Sequence, residues 1–286
     1  MKSSMFKLTA VAALLCAATL LSCSGKKASK TVTSQDGTSV ELPSDLYLYT
    51  NAARANKAKV NKEHLGFKQD VKDVKEHEFE NNQSIKEVYL IDGFVHISPY
   101  GFAGCTNLEK LVTTGTVDVI NDYAFEGCTS LKYLDSDVRA IGVSAFAGCT
   151  SLEYVHTKDN FYQLRDSAFL GCTSLKSVIM GMTLVKFEDE AFKDCPNIEE
   201  ISVPNDYKLH MFNVYQSMPK LQKVYLLVME YYDFPANSKD FPCEQVDLYV
   251  PDALLAQYQG SESWSRFKSI KPLSETEYYT AEGFSK

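Results

Sequence analysis

Along most of this chain the apolar positions recur with a long and nearly constant period. The same phrase returns as Ala124-Phe125-Glu126-Gly127-Cys128-Thr129-Ser130-Leu131, Ala145-Phe146-Ala147-Gly148-Cys149-Thr150-Ser151-Leu152 and Ala168-Phe169-Leu170-Gly171-Cys172-Thr173-Ser174-Leu175. Looser copies stand at Gly101 to Cys105 and Ala191 to Cys195, and fainter ones at Phe79 to Val88 and Tyr215 to Val224. Ring positions fall at 79, 102, 125, 146, 169, 192 and 215, a step of 23 residues with one exception of 21. Such a period marks a solenoid in which each repeat is one supersecondary unit. A single repeat has too few apolar side chains to offset the entropy of ordering its backbone, so it folds only between neighbours.

Within a repeat, Leu131 to Ser136 alternates as a short strand, with Leu134 and Ser136 facing in and Tyr133 and Asp135 facing out. Ala-Phe-x-Gly-Cys is too short for a full helix and suits one helical turn. An Asp three residues before the ring (Asp122, Asp166, Asp189) is placed to cap that turn. The glycine supplies a left-handed or tightly packed position. Stacked at about 4.8 Å, these coils predict an α/β repeat solenoid. It is a right-handed coil stack with one continuous parallel sheet on one face and short helical turns opposite.

The phrase and its spacing resemble the BspA-type leucine-rich-repeat family of bacterial surface lipoproteins. The segment Leu248 to Tyr258, then Trp264, then Ile270-Lys271-Pro272, is similar to that family's terminal cap. The resemblance implies adhesion to, or recognition of, a host or neighbouring-cell surface protein. From the residues themselves, Asp252 and Gly260 bracket an amphipathic helix of about eight residues, and Trp264 and Phe267 seal the last coil. Cys243, three residues before Val246, marks an eighth and distorted coil.

The ends of the chain read differently. Lys2 and Lys7 precede an apolar run from Leu8 to Leu21, shorter than the ~20 residues that span a bilayer, which indicates a secretory signal. It closes on Leu20-Leu21-Ser22-Cys23, which resembles a bacterial lipobox with Cys23 as the lipidated residue; ordinary cleavage would leave Cys23 a spare thiol. The expected organisation is a lipoprotein signal peptide over 1–22, a flexible tether over 23–40 and an N-terminal cap over 41–73. A solenoid of about eight coils follows over 74–250, then a C-terminal cap over 251–273 and a polar tail over 274–286. The expected location is the bacterial outer membrane, facing the exterior or the periplasm.

Six cysteines remain beyond Cys23, an even number that in an exported protein suggests disulfides. Five of them, Cys105, Cys128, Cys149, Cys172 and Cys195, share one repeat position. Parallel side chains about 4.8 Å apart exceed the usual Cβ separation of a disulfide. A ladder of buried thiols is therefore favoured. Glu76-His77-Glu78 is either a metal site or a solvated edge, and the edge needs fewer assumptions. No nucleophile motif, zinc signature or phosphate loop occurs, so no enzyme, cofactor or metal is expected. Cleavage after residue 22 removes two lysines, leaving 27 basic against 37 acidic residues and a net charge of −10. That balance argues against nucleic acid.

What is left is the outward face of the sheet. It carries Tyr133, Tyr154 and His156 with Ile179 beside them, and Tyr89 and Tyr225 further along. Aromatics anchor protein interfaces, although tyrosine also favours exposed strands. The expectation is a lipid-anchored, monomeric binding scaffold for a protein. The alternative is a glycan-binding component of an envelope uptake system.

Overall fold

The computed structural model describes residues 30–33, 39–56, 59–68, 71–90, 96–181, 183, 186–188, 190–204, 218–234, 241–276, 278–280 and 283–284. The expected signal peptide over 1–22 and the expected lipidation site Cys23 lie outside the described residues. The chain winds as a parallel β-solenoid. Its main sheet has two sections. The first contains Tyr47–Tyr49, His64–Phe67, Glu87–Leu90 and Lys110–Thr113. The second contains Tyr133–Ser136, Tyr154–Thr157, Ser177–Ile179, Glu200–Pro204, Lys223–Leu227, Asp247–Val250 and Ser269–Pro272.

The single expected sheet is thus interrupted between Thr113 and Tyr133, beside the shortest coil. Three residues link Lys110–Thr113 to the next strand, Val117–Ile120, whereas Asp137 alone links Tyr133–Ser136 to Val138–Ile141. That missing pair of residues is the 21-residue step. The tight corner is held from both sides, by Thr116 Oγ1 donating to Asp137 Oδ2 (2.6 Å) and Asn160 Nδ2 to Asp137 Oδ1 (3.2 Å). Across the break Thr113 Oγ1 donates to Ser136 Oγ at 3.1 Å.

Opposite the main sheet the structure departs from the expected helical turns. A second parallel sheet of six short strands, from Asp73–Val74 to Lys186–Phe187, runs alongside hydrogen-bonded turns. The turns are bonded to one another along the solenoid. Phe102, Phe125, Phe146 and Phe169 each donate their N–H to the alanine carbonyl of the following coil at 2.8 Å. Extended pairing of this kind satisfies backbone groups that an isolated helical turn would leave open. Asp122 follows the same logic: its Oδ1 accepts from Val143 N–H of the next coil at 2.8 Å instead of capping its own turn.

The motif residues now have separate jobs. Phe79, Phe102, Phe125, Phe146, Phe169 and Phe192 form one buried column with neighbouring centroids 5.1–5.3 Å apart and planes within 13° of parallel. Gly104, Gly127, Gly148 and Gly171 adopt φ of 68–71°, a region open to residues without a Cβ. The six described cysteines are free and buried. Each of the five in the column donates its S–H to the phenylalanine carbonyl of the preceding coil, at 3.1–3.3 Å. Burial pushes the Cys105 and Cys149 thiols up to about 12, so the proton needed for that bond stays in place.

Both ends of the stack are closed by side chains of a different kind. At the N-terminal end a helix over Asn51–Ala55 buries none of its residues. It is held by Arg54, whose Nε and Nη2 grip the Glu78 carboxylate at 2.6 and 2.9 Å and whose Nη1 reaches Asp73 Oδ1 at 3.1 Å. Tyr49 and Phe67 then close the ring column edge-on against Phe79. At the C-terminal end the expected helical stretch is present as a 3-10 turn over Asp252–Leu254 continuing into an α-helix over Leu255–Gln259, with Gly260 at its C-cap. Asp252 accepts from Ser274 N–H. Trp264 is buried, donates Nε1–H to the Tyr232 carbonyl at 2.8 Å and packs against Phe234, Tyr258 and Phe267.

Two segments differ from expectation. Lys30–Thr33 and Ser39–Leu42, assigned by composition almost wholly to a tether, pair as antiparallel strands. In the tail Tyr278 is buried, and Tyr279–Thr280 pairs with Gly283–Phe284. Both segments lie against the outward face of the main sheet.

Candidate binding face

The strand registers place the outward residues in columns. Tyr133 stands beside Tyr154, then Ser177, Glu200, Lys223 and Asp247. The second column runs Asp135, His156, Ile179 in one part and Ser202, Tyr225, Tyr249 in the next. Immediately before the strands an alternating series, Glu63, Lys86, Glu109, Lys132, Glu153, Lys176, edges the face. Each lysine pairs with the glutamate of the preceding coil, at 3.0, 3.6 and 2.9 Å. Such exposed pairs contribute little stability, but joining a coil to the next but one would set like charges together.

The six expected face residues do not share one environment. At the N-terminal end Tyr89 is 2% exposed, because Val32 and Leu42 of the hairpin pack over it and Val112. Its hydroxyl bonds to Glu87. At the C-terminal end Tyr225 and Ile179 are 2% and 5% exposed beneath Leu273 of the cap and Tyr278 of the tail. Tyr133, by contrast, is 48% exposed. Tyr133, Asp135, Tyr154 and His156 remain as a window between hairpin and tail. Tyr133 and Tyr154 stack at 5.7 Å with planes 20° apart, and Tyr154 meets His156 edge-on at 6.2 Å.

The tail that bounds this window is fastened by Glu200. Tyr278 and Tyr225 each donate a hydroxyl to its carboxylate at 2.7 Å, and Lys223 Nζ lies 3.6 Å away. Burial alone would push the Glu200 carboxyl up. The hydroxyls of Tyr225, Tyr278 and Ser177, with the Lys223 charge, outweigh it and hold the group below the usual carboxylate range. Burial and the bond to Glu200 push Tyr225 well up, so its proton stays. Tyr278 also sits edge-on to His156 at 5.6 Å. Sequence reasoning missed these covering residues, though two signals were available: the alternating apolar positions Val32, Val40 and Leu42, and the aromatic Tyr278 in a polar tail.

The face offers recognition chemistry more readily than catalysis. His156 Nε2 lies 3.2 Å from Ser177 Oγ, a pairing seen in nucleophilic sites. Ser177 is only 1% exposed and its hydroxyl also bonds to Glu200, so the contact orients the imidazole. Among the described residues no group of three His, Cys, Asp or Glu side chains is arranged to hold a metal ion. Glu78 belongs to Arg54, while His77 pairs with Glu80 at 2.9 Å. A cleft of about 890 Å³ opens at the N-terminal cap, but its Arg54, Glu78 and Tyr49 are bonded to one another.

The sequence model of the BspA type leucine rich repeat region matches in 6 copies, over residues 52–169 and 133–229, together more than half the chain. The chain belongs to the BspA-type leucine-rich-repeat family. No curated protein matches it in sequence. Among solved structures, a leucine-rich repeat protein from Bacteroides ovatus ATCC 8483 is similar at 15% identity and a TM-score of 0.40. That match covers 88% of this chain and 76% of the other. The T. pallidum leucine rich repeat protein is similar at 14% identity over 84% and 96% of the two chains, with a TM-score of 0.37. The pneumococcal vaccine antigen PcpA is similar at 12% identity over 84% and 87%, with a TM-score of 0.36. This BspA-type chain is thus a leucine-rich-repeat solenoid whose outward sheet residues are partly covered by its own ends.

Proposed function

We propose that this protein is a lipid-anchored recognition scaffold of a bacterial cell envelope that grips a protein partner through the window around Tyr133 and Tyr154. One observation carries the reading. The apolar and aromatic outward residues toward either end of the sheet are covered by the chain's own segments, while the stacked pair at the centre is left open. A stacked aromatic pair in a flat face, edged by Asp135, His156 and a charged border, has the composition of an interface centre with a polar rim. Replacing Tyr133, Tyr154 and His156 together by Ala should abolish capture of a surface protein from the host or a neighbouring cell while leaving thermal unfolding unchanged. Undiminished capture would retire the window.

The anchor is a separate part of the proposal and rests on the Leu20-Leu21-Ser22-Cys23 run. Mass spectrometry of native protein should find a diacylglycerol-modified Cys23 as the first residue of the mature chain. An unmodified Cys23 would remove the anchor without touching the window.

A further inference from the structure

The turn side of the solenoid carries a second aromatic column, separate from the sheet face. His77, Tyr100 and Tyr123 hold the same place in successive coils, two residues before the buried phenylalanine. Their rings stack with centroids 4.9 Å apart and planes within 7° and 3° of parallel. That spacing is the step between coils, so the rings stand across the solenoid axis like rungs. All three residues are left-handed, with φ of 57°, 58° and 59°, a region that costs an L-residue roughly 1–2 kcal/mol. The turn itself does not call for rings, because Ser144 and Ser167 continue the column with φ of 51° and 55°. The stack therefore stops at Tyr123, and the next two places along the axis hold only serine.

A charged pair lies beside those two places. Asp122, the residue before Tyr123, and Arg165, two residues before Ser167, meet across the intervening coil at 3.6 Å (Nη1 to Oδ1). Gly142 makes the crossing possible, since a Cβ there would fall 2.5 Å from Asp122 Oδ1. Arg165 Nε is shielded from water and bonds to no described group, while both side chains keep part of their surface exposed. The arrangement is a flat ring face, small residues for the next coil's thickness, and planar donors and acceptors at the edge. A pyranose matches each element. Its C–H face meets the negative face of an aromatic ring, and its equatorial hydroxyls suit carboxylate and guanidinium groups. The nearby carboxylates of Glu126 and Asp166 would repel an acidic sugar.

We propose that Tyr123, with Ser144 and Ser167 following it and the Asp122–Arg165 pair at its edge, binds one neutral pyranose unit of a glycan and so extends the ring stack by one step. The full chain would be titrated with methyl glucoside, methyl galactoside, methyl mannoside and chitobiose, read by saturation-transfer NMR and calorimetry. At least one sugar should receive saturation on its ring C–H protons and bind with a dissociation constant on the order of 1 mM. Tyr123→Ala should weaken that binding about tenfold or more. Ser144→Tyr should do the same by filling the slot, with an unchanged melting temperature, because Tyr100 and Tyr123 already occupy this turn position. Tyr133→Ala on the sheet face should leave sugar binding intact. Absence of transfer to all four sugars, undiminished binding by Ser144→Tyr, or Tyr123-dependent capture of an unglycosylated protein in place of sugar would overturn the site.

Discussion

The turn stack and the sheet face are built from the same coils but follow opposite rules. At the buried places of the turns, one residue type recurs from coil to coil: phenylalanine stacks on phenylalanine, and each thiol of the column bonds to the carbonyl of the coil before it. On the outward face almost no place repeats, and neighbouring coils present Tyr133, Tyr154, Ser177 and Glu200 in turn. Repetition serves stacking, because each coil meets the same surface on either side. Variation serves recognition, because a solvated face carries no packing requirement between coils. The difference separates residues that hold the solenoid from residues free to select a partner.

Mutation should make that separation quantitative. Phe146→Ala removes a ring from the middle of a close-packed column and should cost about 3–5 kcal/mol, read by denaturant unfolding. Tyr133→Ala, at an exposed place on the same stretch of chain, should stay within about 0.5 kcal/mol. Comparable losses at the two sites would break the contrast. Arg54→Ala tests the N-terminal closure. It strips the partner from Glu78, whose side chain is 8% exposed, and should cost about 2–3 kcal/mol, less than a fully buried pair. Hydrogen exchange should show the first coils opening before the central ones.

A local effect should come from Glu200, which closes the other end of the face. Its folded pKa lies below the unfolded value. Its contribution is therefore complete above the ordinary carboxylate value near ~4.3 and disappears as pH falls through the lower folded value. Proteolysis of the tail at Tyr278 should accelerate in that acid window, and Glu200→Gln should make the tail accessible already at neutral pH. A tail equally resistant in both proteins would show that Leu273 and Tyr278 hold it by packing alone.

Much of the scaffold was legible in the chain because its interactions are periodic. The 23-residue step put Phe102 against Phe125 and Cys105 beside Cys128, and the alternation of Leu131 to Ser136 assigned inward and outward sides correctly. The expected grouping of Tyr133, Tyr154, His156 and Ile179 agrees with the registers, which set Tyr133 beside Tyr154 and His156 beside Ile179. The turns were harder: Ala-Phe-x-Gly-Cys is as compatible with a helical turn as with a hydrogen-bonded turn paired to its neighbours. Only the stacked coils show where each N–H goes.

By itself, then, the sequence determined the coil, its period, the ring column and the reduced cysteines, since each depends on a residue and its counterpart one repeat away. Tertiary structure alone decided which part of the sheet is open. The hydrogen bond from Tyr278 to Glu200 spans 78 residues, and the hairpin strands Lys30–Thr33 and Ser39–Leu42 reach Tyr89 and Val112 without any repeat to announce them. Contacts made once, between segments far apart in the chain, leave no periodic trace, and those contacts set the borders of the binding face.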